Sequence, residues 1–131
     1  MKIIKLAAVL ILLLQWQSAW ASFDPAQWVS LTIEVKQLTL DGMYSQLDLL
    51  QAGADGEAIM AQDATTQNQV DEAYQNYGIT VVEYAQQAQT NAAQIDNHLT
   101  TNPAMQTQLD NLNNEFNLLV EALRATQGAA E

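Results

Sequence analysis

The sequence predicts an all-α protein, an antiparallel helical bundle of three or four helices that follows a cleaved signal peptide. Three observations predict it. Apolar residues recur at helical spacing through most of the chain beyond residue 25, helix-start signals stand at Asp24-Pro25, Thr80 with Glu83, and Asn102-Pro103, and no stretch reads as a strand.

The first segment carries an address. Lys2 and Lys5 give a basic start, Leu6 to Leu14 is an unbroken apolar run, and Ala19-Trp20-Ala21 supplies a small-x-small cleavage signal. Together they read as a secretory signal peptide cut after Ala21. The apolar run stops at Gln15, short of the roughly 20 residues a membrane span needs, so no stable span is expected after cleavage. No cysteine is present to carry a lipid anchor. The expected destination is the periplasm or cell surface of a Gram-negative bacterium, with residues 1–21 removed and residues 22–131 forming a single helical-bundle domain.

The helices follow in order. Asp24 is an N-cap, Pro25 fits the first position, Gln27 can complete a capping box, and Phe23 can staple onto Trp28. Trp28, Leu31, Val35 and Leu38 then form a stripe that resumes at Met43, Leu47 and Leu50. This predicts one helix to about Gln51, with a kink or a close helix contact at Gly42. Gly53 and Gly56 bracket a turn, and Asp55 caps a second helix carrying Val70, Tyr74 and Tyr77. Gly78, the Thr80–Glu83 capping box and an Ile79–Tyr84 staple mark a break, giving helices near 25–51, 56–77, 80–99 and 103–127 in up-down-up-down order. In the competing arrangement the second and third segments run on through Gly78 as one helix of a three-helix rod.

The last helix has the cleanest pattern. Met105, Leu109, Leu112, Phe116, Leu119 and Leu123 fall on one side, with Leu118, Val120 and Ala122 widening the stripe. The rest of the chain is therefore expected to organise around this helix, and its end to touch more than one neighbour. Asn102 is placed to cap its first turn.

Charge and chemistry exclude more than they suggest. The formal net charge is -11, and loss of Lys2 and Lys5 makes it -13, leaving Lys36 and Arg124 as the only positive side chains. Direct binding to nucleic acid or anionic lipid is not expected, because both need clustered lysine and arginine. His98 stands alone without cysteine, a poor start for a zinc site, and the carboxylates are too scattered for a calcium loop. Ser45 and Thr80 have no positioned base. No catalytic, cofactor-binding or metal residues are assigned, no cofactor is expected, and the protein is expected not to be an enzyme.

The aromatic residues are the candidate site. Trp28, Tyr44, Tyr74 and Tyr77 are proposed as partner-binding residues, since tryptophan and tyrosine bury area while keeping a polar handle. A signal peptide followed closely by Phe23-Asp24-Pro25-Ala26-Gln27-Trp28, a long amphipathic helix, and the Gln-, Asn- and Leu-rich Met105–Leu112 stretch resembles the minor pilus-tip subunits of conjugative type IV secretion systems. The resemblance implies an exported, non-enzymatic helical subunit or accessory factor that acts by contacts with other pilus or envelope proteins, with homo-oligomer formation left open. The alternative is a free-standing periplasmic helical bundle that binds clients or a ligand in chaperone-like fashion.

Overall fold

Asp24 starts the first helix with its side chain: Oδ1 accepts from the backbone N–H of Ala26 at 2.9 Å and of Gln27 at 3.4 Å, satisfying donors that a helix start otherwise leaves unpaired. The computed structural model describes residues 23–129; the signal segment and its cleavage point lie outside them. Five helices follow, α1 Pro25–Gln51, α2 Gly56–Asn76, α3 Val81–Thr90, α4 Ala92–Thr101 and α5 Pro103–Ala129, with no strand among the described residues.

Two glycines make the sharp stops. Gly53 has φ +73° and Gly78 φ +68°, the left-handed conformation that other residues adopt at a cost. At the first, Gly53 N–H donates to Leu50 O at 3.1 Å and Ala54 N–H to Leu49 O at 2.9 Å. At the second, Gly78 N–H donates to Gln75 O at 2.9 Å and Ile79 N–H to Tyr74 O at 3.2 Å. Both are Schellman stops, so the helix does not continue through Gly78. Asp55 caps α2 by accepting from Ala58 N–H at 2.9 Å. The Thr80–Glu83 capping box closes in both directions, at 3.1 and 3.4 Å.

The third predicted helix is in fact two. The chain bends at Asn91, with φ -116° and ψ 23°, between α3 and α4. Tyr84 stacks on Trp28 and Ile95 packs with Val29, yet in a straight helix these two residues would stand about 16 Å apart at 1.5 Å each. Trp28 and Val29 are adjacent and point about 100° apart around α1. The α3–α4 segment therefore wraps around the N-terminal part of α1 instead of running along it.

That wrap decides the direction of α5. Along α1 and α2 the numbering runs in opposite senses: Leu31 packs with Ala73 and Tyr74, and Gly42 faces Thr66. Along α1 and α5 it rises together. Val29 packs with Leu109, Lys36 Nζ donates to Asn113 Oδ1 at 2.9 Å, and Leu40 packs with Leu112 and Leu119. So α1 and α2 are antiparallel but α5 is parallel to α1, a departure from the up-down-up-down order. The segment before α5 never travels back along α1, so α5 begins at the end where α1 begins.

The organising helix is α1, not α5. Val29, Leu31 and Leu40, the largest fully buried side chains, all belong to it. Leu31, Val35 and Leu38 face α2, while Ile33, Leu40, Met43 and Leu47 face α5. In α5 only Leu109, Leu112 and Leu119 of the predicted stripe are buried, whereas Phe116 is 43% and Leu118 71% exposed. The reason is that α5 has one long neighbour: it packs along α1 and not along α2. Asn102 also departs from expectation. Its amide donates to His98 O at 2.8 Å, closing the end of α4 rather than capping α5.

Gly42 lies inside an unbroken helix, and the close helix contact expected there is present. A Cβ there would fall 2.6 Å from Thr66 Cγ2 and 2.9 Å from Thr66 Cβ. Rotating the threonine cannot move its Cβ, so the helices would have to separate. We expect Gly42→Ala to destabilise by about 1–3 kcal/mol by overpacking, against roughly 1 kcal/mol gained in helix propensity. A thermal melt unchanged or raised would mean that α1 and α2 are less closely apposed.

Candidate functional site

The aromatic residues gather at the N-terminal end of α1. The Trp28 and Tyr84 rings stack with centroids 4.6 Å apart and planes 3° apart, and Tyr74 meets Tyr84 edge-on at 5.5 Å. Polar handles lock the arrangement. Trp28 Nε1 donates to Tyr84 O at 3.2 Å, and the Tyr84 hydroxyl shares a hydrogen bond with Thr32 Oγ1 at 2.6 Å. Thr32 Oγ1 in turn donates to Trp28 O at 2.9 Å when Tyr84 supplies the other proton. Thr32 is buried in spite of its hydroxyl, which is tolerable because both its partners are in reach.

Of the four residues expected at a partner surface, one is buried and one is half-buried. Tyr74 is buried with Leu31 and Ala73, and Trp28 is half-buried against the Val29–Ile95–Leu109 cluster. Tyr44 and Tyr77 are the outward pair, 45% and 38% exposed. The structure thus joins Trp28 to Tyr74 through Tyr84 and leaves Tyr44 apart, further along α1. Thr32 and Tyr84 complete the node. Tyr84 is visible in the sequence as the staple partner of Ile79, and both do pack against the Leu31 cluster; nothing in the spacing marks Thr32 as its hydrogen-bond partner.

One opening borders the node and another lies further along α1. A cleft of about 140 Å³ is lined by Phe23, Asp24, Gln27, Trp28, Tyr77 and Glu83, among others. A groove of about 210 Å³ lies between α1 and α5, walled by Val35, Thr39, Leu40, Leu112 and Phe116, with Lys36 and Asn113 bonded to one another on its rim. His98 points elsewhere: its Nδ1 is 3.4 Å from Asn102 Nδ2, and its Nε2 is buried without a partner. Among the described residues no group of three histidine, cysteine or acidic side chains is arranged to hold a metal ion, and no described helix is long and apolar enough to cross a membrane. Comparison with protein families, with curated proteins and with solved structures finds no match for this chain.

Burial raises the pKa of Tyr74 above the ordinary 10.0. Burial also raises that of Tyr84, opposed by the Thr32 hydrogen bond and reinforced by Tyr74. At Tyr77 burial comes first, followed by the negative charge of Glu34 and a hydrogen bond to it. In each case the folded protein holds the phenol proton more tightly than the unfolded chain, so the stabilisation is complete below the unfolded value and is lost as pH rises through the folded one. Melting should be flat between about pH 7 and 9 and fall above about pH 10, with a smaller alkaline loss in Tyr84→Phe. An alkaline loss identical in wild type and Tyr84→Phe would remove Tyr84 from this account. Trp28→Ala should cost about 2–4 kcal/mol, below the full range for a wholly buried tryptophan; an unchanged melt would show that the stack is energetically idle.

Proposed function

We propose that the chain acts after export as a small helical bundle that makes protein–protein contacts, as a subunit or accessory factor of a conjugative pilus or type IV secretion assembly. The export reading rests on the Lys2–Ala21 signal pattern, and the assembly reading on the Phe23–Trp28 start and its long amphipathic helix. The observation that carries the contact role is the set of large apolar side chains left at the surface. Tyr44, Tyr77, Phe116 and Leu118 stand outward while Tyr74 is buried and Trp28 half-buried. Single exposed apolar residues are ordinary, but tyrosine and phenylalanine are favoured where a surface is to be covered.

The test is crosslinking of the epitope-tagged protein in intact cells, with mass spectrometry of what is captured. Pilin and secretion-channel subunits are expected. The double substitution Tyr44→Ala with Tyr77→Ala should lower their recovery several-fold and shift stability by no more than about 1 kcal/mol, since both residues are exposed. Undiminished recovery would move the contact away from these two tyrosines.

The open groove between α1 and α5 favours a second reading, a free-standing periplasmic protein that binds clients or a ligand. Its apolar walls, Val35, Leu40, Leu112 and Phe116, are of the kind that accept an apolar group. Capture of many unrelated envelope proteins, or of none, would favour this reading over the assembly.

A further inference from the structure

The α3 helix is fastened differently from every other element. None of its residues is buried, and it packs lengthwise along none of α1, α2 and α5. Val81 and Val82 are 54% and 66% exposed, and its remaining apolar residues are alanines apart from Tyr84. On either side the chain is pinned: Ile79 packs into the Leu31–Tyr74 cluster, and Ile95 is buried in the Val29–Leu109 cluster. Between these pins Tyr84 makes the stack on Trp28, the edge contact with Tyr74 and the hydroxyl bond to Thr32, and its carbonyl receives the Trp28 indole N–H. At the far end Asn91 lies off helical geometry and offers α4 no side-chain cap.

We propose that α3 is a latch, held shut by Tyr84, which opens between Ile79 and Asn91 while α1, α2 and α5 stay folded. What it covers gives the motion a consequence. Trp28, Thr32, Val35 and Thr39 follow one another at four-three-four spacing and so share one face of α1. The first two lie beneath Tyr84; the last two floor the groove beside α5. Opening the latch joins the covered part of this face to the groove and brings the Trp28 ring to the surface. The latch depends on the contacts of Tyr84 alone and holds under either functional reading.

Hydrogen exchange of the full-length chain, followed by mass spectrometry, tests it. Amides of α3 should exchange at least about tenfold faster than those of α1, α2 and α5, at a rate little changed by low denaturant, as expected of local opening. The equally short α4, pinned by Ile95, is the control and should exchange more slowly than α3. Tyr84→Ala should speed α3 by a further factor of roughly ten, from the lost ring contacts, leaving α1, α2 and α5 unchanged. Tyr84→Phe, which keeps the stack and loses the Thr32 bond, should fall between. Protection of α3 equal to that of α1 in the wild type would overturn the proposal. So would a Tyr84→Phe chain in which α3 is unaffected, or one in which all helices accelerate together; both remain readable should Tyr84→Ala fail to fold.

Discussion

The structure depends on one helix burying two opposite sides. Residues of α1 at Leu31, Val35 and Leu38 pack on α2, and those at Ile33, Leu40 and Met43 pack against the α5 leucines. A helix with only one apolar stripe could serve one of these neighbours but not both. With α1 between them, α2 and α5 need not touch, and each can keep a polar outer face. The cost is that α5 has apolar residues left over, since a single partner covers only part of its stripe. With no disulfide available, the burial of Val29, Leu31 and Leu40 and the close passage at Gly42 carry the cohesion of the chain.

The aromatic node solves a different problem, that of attaching a short helix with little apolar surface. Ten residues cannot hold a helix in water by propensity alone. The α3 sequence provides one large ring, and the fold surrounds it with complementary groups: a parallel indole, a perpendicular phenol and a buried hydroxyl. Each is a modest interaction. Together they form a polar network in which every donor named has an acceptor, the condition under which burying such groups is tolerated.

Much of this was legible in the residues themselves, and what was not has identifiable causes. Local signals read correctly: the Asp24 and Asp55 caps, the Gly53 and Gly78 stops, the Thr80–Glu83 box and the all-helical character depend on neighbours within a few positions. The bend at Asn91 was not legible, because the same stripe continues across it and the cause lies in where Trp28 and Val29 point. From that one bend followed the reversal of α5. Regularity of spacing also misled. The α5 stripe is the cleanest in the sequence, but periodicity reports which residues share a face, not how many neighbours cover it. The surroundings of Trp28 and Tyr74 were open for a similar reason: amphipathic aromatics suit interiors and interfaces alike, and the residue that packs on both, Tyr84, is 56 residues from Trp28.

The parallel course of α1 and α5 has a geometric consequence. Each has 27 residues, about 40 Å of helix at 1.5 Å per residue, and Met105 near the start of α5 packs in the same cluster as Trp28 near the start of α1. Phe23 and Ala129 therefore stand at opposite poles of the described residues. A tether at one pole leaves the other free to reach roughly the length of the molecule away. A label or fusion placed after α5 is remote from the aromatic node, whereas one placed before Phe23 lies beside it.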